Sequence, residues 1–193
     1  MKTKIQSVPE ELLYEMIDGK AIYYNGYRNV LSGKKSIESV MGSSFIQAIL
    51  IARVISWLNE NFSDNYLALT NELGIQIDTK NWRLADIALV KKSMLNKIKE
   101  QDKYLSFAPD YVIEIDTKAA LDSDHQMSAF DYFQKKTDSL LNFGVKKLIW
   151  IFTQNKKILI AEKGKAWIID NWDNLQLEIE GKSINLNLLT EDL

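Results

Sequence analysis

Two acidic residues, Asp86 and Glu114, lie inside apolar runs that predict neighbouring buried strands. The runs span residues 83–90 and 109–115. A carboxylate in such surroundings must be paired with a positive charge, protonated or bound to a cation. A lysine follows in a helical pattern, at Lys136. Two buried acids with a lysine nearby favour a divalent-metal site.

The composition restricts which metal such a site can hold. The chain has no cysteine and a single histidine, His125, which argues against thiolate sites and histidine-rich zinc sites. The remaining ligands are carboxylate and carbonyl oxygens. These oxygens favour magnesium or manganese.

Strand alternation orients the second acid. Alternate residues of a strand share a face, so Val112, Glu114 and Asp116 should point away from the face that carries Ile113 and Ile115. Glu114 then projects where Asp86, from the adjacent strand, can meet it.

Helical phase selects the lysine. At about 100° per residue, an apolar stripe on the helix is formed by Phe130, Phe133, Leu140 and Leu141. Lys136 falls at the edge of this stripe, whereas Lys135 falls on the far side. We therefore expect Lys136 to face the sheet and Lys135 to face solvent.

The elements that must position these residues follow from periodicity and turn residues. We expect a hairpin at 14–24, a long helix at 37–62, a helix at 128–143 ended by Gly144, and strands at 66–70, 74–77, 83–90, 111–115, 147–152, 158–161, 166–169 and 184–188. This order predicts an α/β fold of the mixed-sheet (α+β) type. It has one central mixed β-sheet flanked by helices, with N-terminal and C-terminal β-hairpins. Residues 1–193 are expected to form a single domain.

Charge and hydropathy limit the setting and the partners. Of the residues, 46% are hydrophobic and 26% charged, and the net charge is −2. The start has no apolar segment of signal-peptide length, and the stretch 39–58 is too polar for a membrane span. We therefore expect a cytoplasmic protein with no membrane partner. The negative balance argues against a high-affinity DNA clamp, but leaves room for a local basic groove on an enzyme.

The same residues carry a family resemblance that covers nearly the whole chain in order. The matching pieces are Tyr14-Glu15 with Gly19, Arg83 with Asp86, Pro109-Asp110 with Glu114, Lys136 with Gly144-Val145, and Leu148-Ile149-Trp150. In these motifs the chain resembles the PD-(D/E)XK nuclease superfamily, and within it the restriction endonuclease family known as Uma-two.

The chain departs from the family pattern at several positions. Ala85 replaces a proline and Leu140 a tyrosine, and the histidine that usually opens the first long helix is absent near Ser43 and Ser44. Asp116 stands where the superfamily usually has its lysine. Members of this family tend to take that lysine from the following helix, which favours Lys136 and leaves Lys118 as a reserve.

The resemblance implies a restriction endonuclease-like core and a metal-dependent endonuclease that hydrolyses DNA phosphodiester bonds. It implies that Asp86, Glu114 and the main-chain carbonyl of Ile115 hold Mg²⁺ or Mn²⁺, and that Lys136 orients the attacking water or offsets transition-state charge. A homodimer is expected by analogy, because two sites can then cut two strands. Possible accessory residues are Asp116, Lys118, Asp110, Glu15 and Glu38.

Other interpretations remain open. Asp110 and Asp116 are also ordinary turn residues, and an RNA substrate fits the same chemistry. A catalytically inactive nuclease-like domain that serves binding or assembly is the main alternative. Another kind of α/β hydrolase or transferase is less favoured, since the chain has no Gly-x-Ser-x-Gly, P-loop or dinucleotide motif.

Overall fold

The computed structural model describes residues 8–98, 103–121 and 127–193. The four α-helices of this part of the chain are α1 (Tyr27–Leu31), α2 (Glu38–Met41), α3 (Phe45–Phe62) and α4 (Ala129–Phe143). Its strands are β1 (Leu13–Ile17), β2 (Lys20–Tyr23), β3 (Tyr66–Gln76), β4 (Trp82–Lys91), β5 (Tyr111–Ile115), β6 (Lys147–Phe152), β7 (Lys157–Glu162), β8 (Ile168–Asn171), β9 (Leu177–Ile179) and β10 (Lys182–Ile184).

One mixed sheet organises the molecule. Its strand order is β2-β1-β4-β5-β6-β7-β8, and β3 pairs with β4 outside this path. Strands β5 and β6 are parallel, whereas the other neighbours are antiparallel. The hairpin β1–β2 opens the chain and the small hairpin β9–β10 lies near its end. The predicted mixed sheet with flanking helices and terminal hairpins is thus confirmed.

Helices cover both faces of the sheet, so alternate residues of its central strands enter two different cores. On one face, Leu50 and Val54 of α3 belong to the same buried cluster as Ile113 of β5. On the other face, Tyr132 of α4 clusters with Val112. Burial on both faces explains why β6 reads as a continuous apolar run.

The predicted long helix at 37–62 is wrong, because the chain breaks it into α2 and α3. Gly42 leaves the helical region with ψ at 149°. Ser44 then caps α3, its hydroxyl oxygen accepting a hydrogen bond from the backbone N–H of Gln47 at 3.2 Å. Apolar spacing continued through the break and concealed it, although glycine followed by serine is a helix-boundary pattern.

Two strand predictions also need correction. The expected strands 66–70 and 74–77 are one strand, β3, with a bulge at Asn71 and Glu72, whose φ angles are 74° and 53°. The expected strand at 184–188 is wrong, since the last strand is β10 and ends at Ile184. None of the described helices has both the length and the apolar character needed to cross a membrane.

Candidate functional site

The two strand carboxylates lie opposite each other where β4 and β5 separate. The antiparallel register pairs Ile87 with Ile113, so one further step places Asp86 opposite Glu114. The backbone ladder ends here, and Asp86 Oδ2 instead accepts a hydrogen bond from the Ile115 N–H at 2.7 Å. Burial raises the pKa of Asp86 above its ordinary value. The two acids thus lie on neighbouring strands at opposed positions, buried at the end of the strand pair.

Lys136 lies between Glu114 and a third acid, Glu15. Its Nζ is 3.0 Å from Glu114 Oε2 and 2.7 Å from Glu15 Oε1, and all three side chains are almost fully buried. Burial by itself lowers the pKa of Lys136, but the attraction of Glu114 and Glu15 outweighs it, so the net pKa is raised. Lys136 is therefore a charged ammonium held inside the core. Its neighbour Lys135 is 45% exposed, as the helical phase predicted.

Aromatic rings surround the ammonium of Lys136. Its Nζ lies 5.4 Å from the ring centre of Trp150, 5.8 Å from that of Tyr14 and 5.9 Å from that of Tyr132. Ring faces attract cations, and this attraction is stronger where water is excluded. The rings thus offset part of the cost of burying the charge.

Both carboxylate oxygens of Glu15 accept hydrogen bonds. Its Oε1 accepts a hydrogen bond from the Leu84 N–H at 3.0 Å, and its Oε2 accepts one from the Tyr132 hydroxyl at 3.1 Å. The hairpin strand β1 positions Glu15 beside β4. Of the accessory residues expected from the resemblance, it is the one in direct contact with Lys136.

Glu114 has one oxygen without a partner. Its Oε1 is buried and accepts no hydrogen bond from any described residue. Burial raises the pKa of Glu114 well above its ordinary value; Lys136 lowers it in part, while the charge of Asp86 raises it further. An unsatisfied buried oxygen costs about 1–3 kcal/mol. A cation with oxygen ligands fits this position because it would satisfy that oxygen and reduce the repulsion between the acids.

Gln47 of α3 contacts two of the three expected metal-binding groups. Its Nε2 donates to the Ile115 carbonyl oxygen at 2.7 Å and lies 3.4 Å and 3.3 Å from Oδ1 and Oδ2 of Asp86. Sequence reasoning missed this residue. The available signal was helical phase, because Gln47 precedes the buried Leu50 and Val54 by three and seven residues.

An open cleft of about 520 Å³ gives access to Asp86. Thr70, Glu72 and Lys118 also line it. Glu114 and Lys136 are not among its lining residues and lie deeper. Of the three expected catalytic residues, Asp86, Glu114 and Lys136, Asp86 is therefore the one that contacts the cleft directly.

Lys118 brings a positive charge to this cleft. Its Nζ forms an ion pair with Glu72 and donates to the Met41 carbonyl oxygen at 3.1 Å. Glu72 also accepts a hydrogen bond from the Tyr24 hydroxyl at 2.7 Å. Sequence reasoning missed Glu72, because the β3 bulge that places it beside the cleft was expected to be a gap between strands.

Asp116 lies next to this region but is engaged elsewhere. Its Oδ1 accepts from the Thr153 N–H at 2.8 Å and its Oδ2 from the Thr153 hydroxyl at 2.7 Å. Its φ angle of 57° turns the chain just after β5. The structure therefore shows Asp116 joining the ends of β5 and β6.

Two further expected accessory residues are not brought to the site. Asp110 precedes β5 at the end opposite Glu114 and forms ion pairs with Lys146 at 2.7 Å and Lys91 at 3.3 Å. Glu38 lies exposed on α2. His125 falls outside the described residues.

The described residues contain no group of three or more Asp, Glu, His or Cys side chains placed to share a metal ion. A cation at the candidate site would therefore depend on the two acids Asp86 and Glu114 and on a main-chain carbonyl. Magnesium is often held by one or two carboxylates and keeps several waters, so this small ligand set suits it.

No protein-family model matches the chain, and no curated protein matches its sequence. A solved structure of similar fold is that of a putative nuclease belonging to DUF820, the Uma-two family, from Anabaena variabilis ATCC 29413. The two chains share 15% sequence identity and a TM-score of 0.68, over 95% of this chain and 93% of that chain. This likeness shows that the chain has a nuclease-like fold.

Proposed function

We propose that this protein is a metal-dependent endonuclease that hydrolyses DNA phosphodiester bonds with Mg²⁺ or Mn²⁺. The observation that carries the proposal is the pair of opposed buried carboxylates. Glu114 Oε1 has no hydrogen-bond partner among the described residues, and Asp86 is open to a cleft. The fold supports it as well, since the structurally similar chain from Anabaena variabilis is described as a putative nuclease.

In this proposal Asp86, Glu114 and the Ile115 carbonyl hold the cation. When bound, the cation supplies polarisation of the phosphate and a lower pKa for an attacking water. Lys136 keeps Glu114 oriented and balances part of its negative charge through their 3.0 Å contact. Glu15 in turn holds Lys136 in place through their 2.7 Å contact.

The cleft provides local features for a phosphate backbone although the whole chain carries a net charge of −2. Lys118 places an ammonium at the cleft, and Ser43, just before α3, also lines it. The N-terminal end of a helix favours anions because its first N–H groups lack partners in the helix. The helix end therefore suits a phosphate that passes Asp86, whereas the charge of Lys118 is balanced by its ion pair with Glu72.

The test is cleavage of plasmid DNA with Mg²⁺ by the wild type and by Asp86→Ala and Glu114→Gln. We expect both variants to lose metal-dependent cleavage while circular dichroism shows retained folding. Glu38→Gln is the matched control, because this exposed acid lies on α2 and should leave cleavage unchanged. Cleavage that persists in both site variants would refute the proposal. An RNA substrate in parallel decides which backbone is cut.

A second candidate function is a catalytically inactive nuclease-like module that binds or assembles. The contacts of Gln47 favour it, since its amide already satisfies Asp86 and the Ile115 carbonyl without a cation. Calorimetry with Mn²⁺ separates the two functions. Mn²⁺ binding that disappears in Asp86→Ala supports the nuclease. If no Mn²⁺ binding depends on the carboxylates, the inactive module is supported.

We also propose that two copies act together, because one such site cuts one strand. Light scattering at assay concentration, together with the ratio of nicked to linear plasmid, tests this point. A monomer that only nicks would contradict it.

A further inference from the structure

We infer that Gln47 is a latch for the metal site, whose amide nitrogen takes the place of the cation in the metal-free protein and whose amide oxygen becomes a ligand when the cation binds. This inference rests on the proposed function, since it concerns the same site. It assigns a metal-responsive role to a residue that sequence reasoning passed over.

Three oxygens converge on the amide nitrogen of Gln47. The Ile115 carbonyl oxygen and both oxygens of Asp86 lie 2.7–3.4 Å from Gln47 Nε2. An amide nitrogen has two hydrogens, so it cannot donate fully to three acceptors. Oxygens gathered around a single positive centre are the arrangement that hard cations prefer.

These oxygens also determine how the Gln47 amide is oriented. With the nitrogen inward, Gln47 donates to acceptors; with Oε1 inward, it would place a fourth oxygen against three others. The acceptors therefore fix the nitrogen inward in the metal-free protein. A cation among the same oxygens reverses this preference, because it attracts Oε1 and repels the amide hydrogens.

Reversing the amide of Gln47 requires rotation about one side-chain torsion. The terminal torsion of glutamine is broad and roughly two-fold, so nitrogen and oxygen can exchange without backbone movement. Gln47 is itself 4% exposed and sits in the first turn of the 18-residue helix α3. This burial keeps its amide beside Asp86 in either orientation, while the cleft at Asp86 provides a path for the cation.

Two substitutions separate a latch from a simple packing role. Gln47→Glu removes the donor and adds a charged oxygen, whereas Gln47→Met keeps the length and removes both the donor and the amide oxygen. Each should destabilise the protein in the absence of metal, since the Ile115 carbonyl loses the Gln47 donor and Asp86 keeps just the Ile115 N–H of the donors described above. Their effects on metal affinity should be opposite, with Glu increasing it and Met decreasing it.

The experiment is calorimetric titration with Mn²⁺, paired with thermal unfolding in a chelator, on the wild type and both variants. We expect Kd for Mn²⁺ to fall about tenfold in Gln47→Glu and to rise about tenfold or more in Gln47→Met, with a lower melting temperature in chelator for both. Gln134→Met, on the exposed side of α4, is the matched control and should change neither quantity.

The outcomes distinguish this inference from the proposed function. If the wild type binds Mn²⁺ through Asp86 but both Gln47 variants bind with its affinity, the latch is refuted and the metal site stands. Equal weakening by both variants also refutes the latch, because a packing role would act in that way. If the wild type binds no Mn²⁺, the proposed function fails and the latch fails with it.

Discussion

Replacing Lys136 with methionine should destabilise the protein far more than any surface lysine change. The substitution keeps the length of the side chain but removes the ammonium between Glu15 and Glu114, which are both buried. Removing one partner of a buried ion pair costs about 3–5 kcal/mol, because the remaining charge has no compensation. For a chain of this size, that loss corresponds to a fall in melting temperature of roughly 6–20 °C.

The stability lost on substitution of Lys136 by methionine should depend on pH. In Lys136→Met the carboxyl of Glu114 loses its attracting charge, so its pKa rises further and it takes up a proton more readily. The destabilisation should therefore be smaller at pH 5 than at pH 8. Adding Glu114→Gln to Lys136→Met should restore stability at pH 8, because it removes one of the uncompensated charges.

Urea unfolding of metal-free protein at both pH values measures these differences. Lys135→Met is the matched control, since this exposed neighbour pairs with the exposed Asp18 and its loss should cost at most about 1 kcal/mol. The account of Lys136 as a buried ion between carboxylates is refuted if the two lysine variants lose equal stability, or if the loss at Lys136 is the same at both pH values.

Three further outcomes follow from the same contacts. The pKa of Glu114 is raised by burial above its ordinary 4.5, so its contribution to stability is present below about that pH and is lost as the pH rises through the raised value. In urea unfolding, the free energy of unfolding of the wild type should therefore fall relative to that of Glu114→Gln as the pH rises. A difference in this free energy that is the same at every pH would contradict the expectation. Titration at several pH values should show Mn²⁺ affinity increasing with pH, because the carboxyl of Glu114 must lose its proton to bind; an affinity independent of pH would exclude Glu114 as a ligand. Asp116→Ala should lose about 1–3 kcal/mol of stability together with its two Thr153 hydrogen bonds while Kd for Mn²⁺ stays unchanged, and a weakened Kd would instead make Asp116 part of the metal site.

The sequence was sufficient for features that depend on periodicity within one element. Strand alternation identified the face of Glu114, and helical phase separated Lys136 from Lys135. Strands β5 and β6 have the predicted limits because their apolar runs end at charged or turn residues. These patterns report which way a side chain points along its own element.

Distances between elements could not be read in this way. The sequence did not reveal that Glu15, from the first hairpin, would contact Lys136 at 2.7 Å, since this depends on how β1 lies against β4. Glu72 lies at the cleft because of the bulge in β3, which the sequence pattern predicted to be a break between two strands. Gln47 was overlooked because its helix appeared to begin earlier, so its place in the first turn was not apparent.

The resemblance motifs added residues that the fold keeps apart. Asp110 follows a proline in the motif, yet it lies just before the first residue of β5, four residues from Glu114. At about 3.3 Å per strand residue this separation is roughly 13 Å. Its ion pairs with Lys91 and Lys146 give it a separate structural setting.

The most direct test of the central claim is an anomalous difference map from crystals of the protein grown or soaked with Mn²⁺. The account predicts a peak bound by Asp86, Glu114 Oε1 and the Ile115 carbonyl oxygen, at about 2.0–2.6 Å from each. A map with no peak there, with the Gln47 amide still bonded to Asp86, would contradict it.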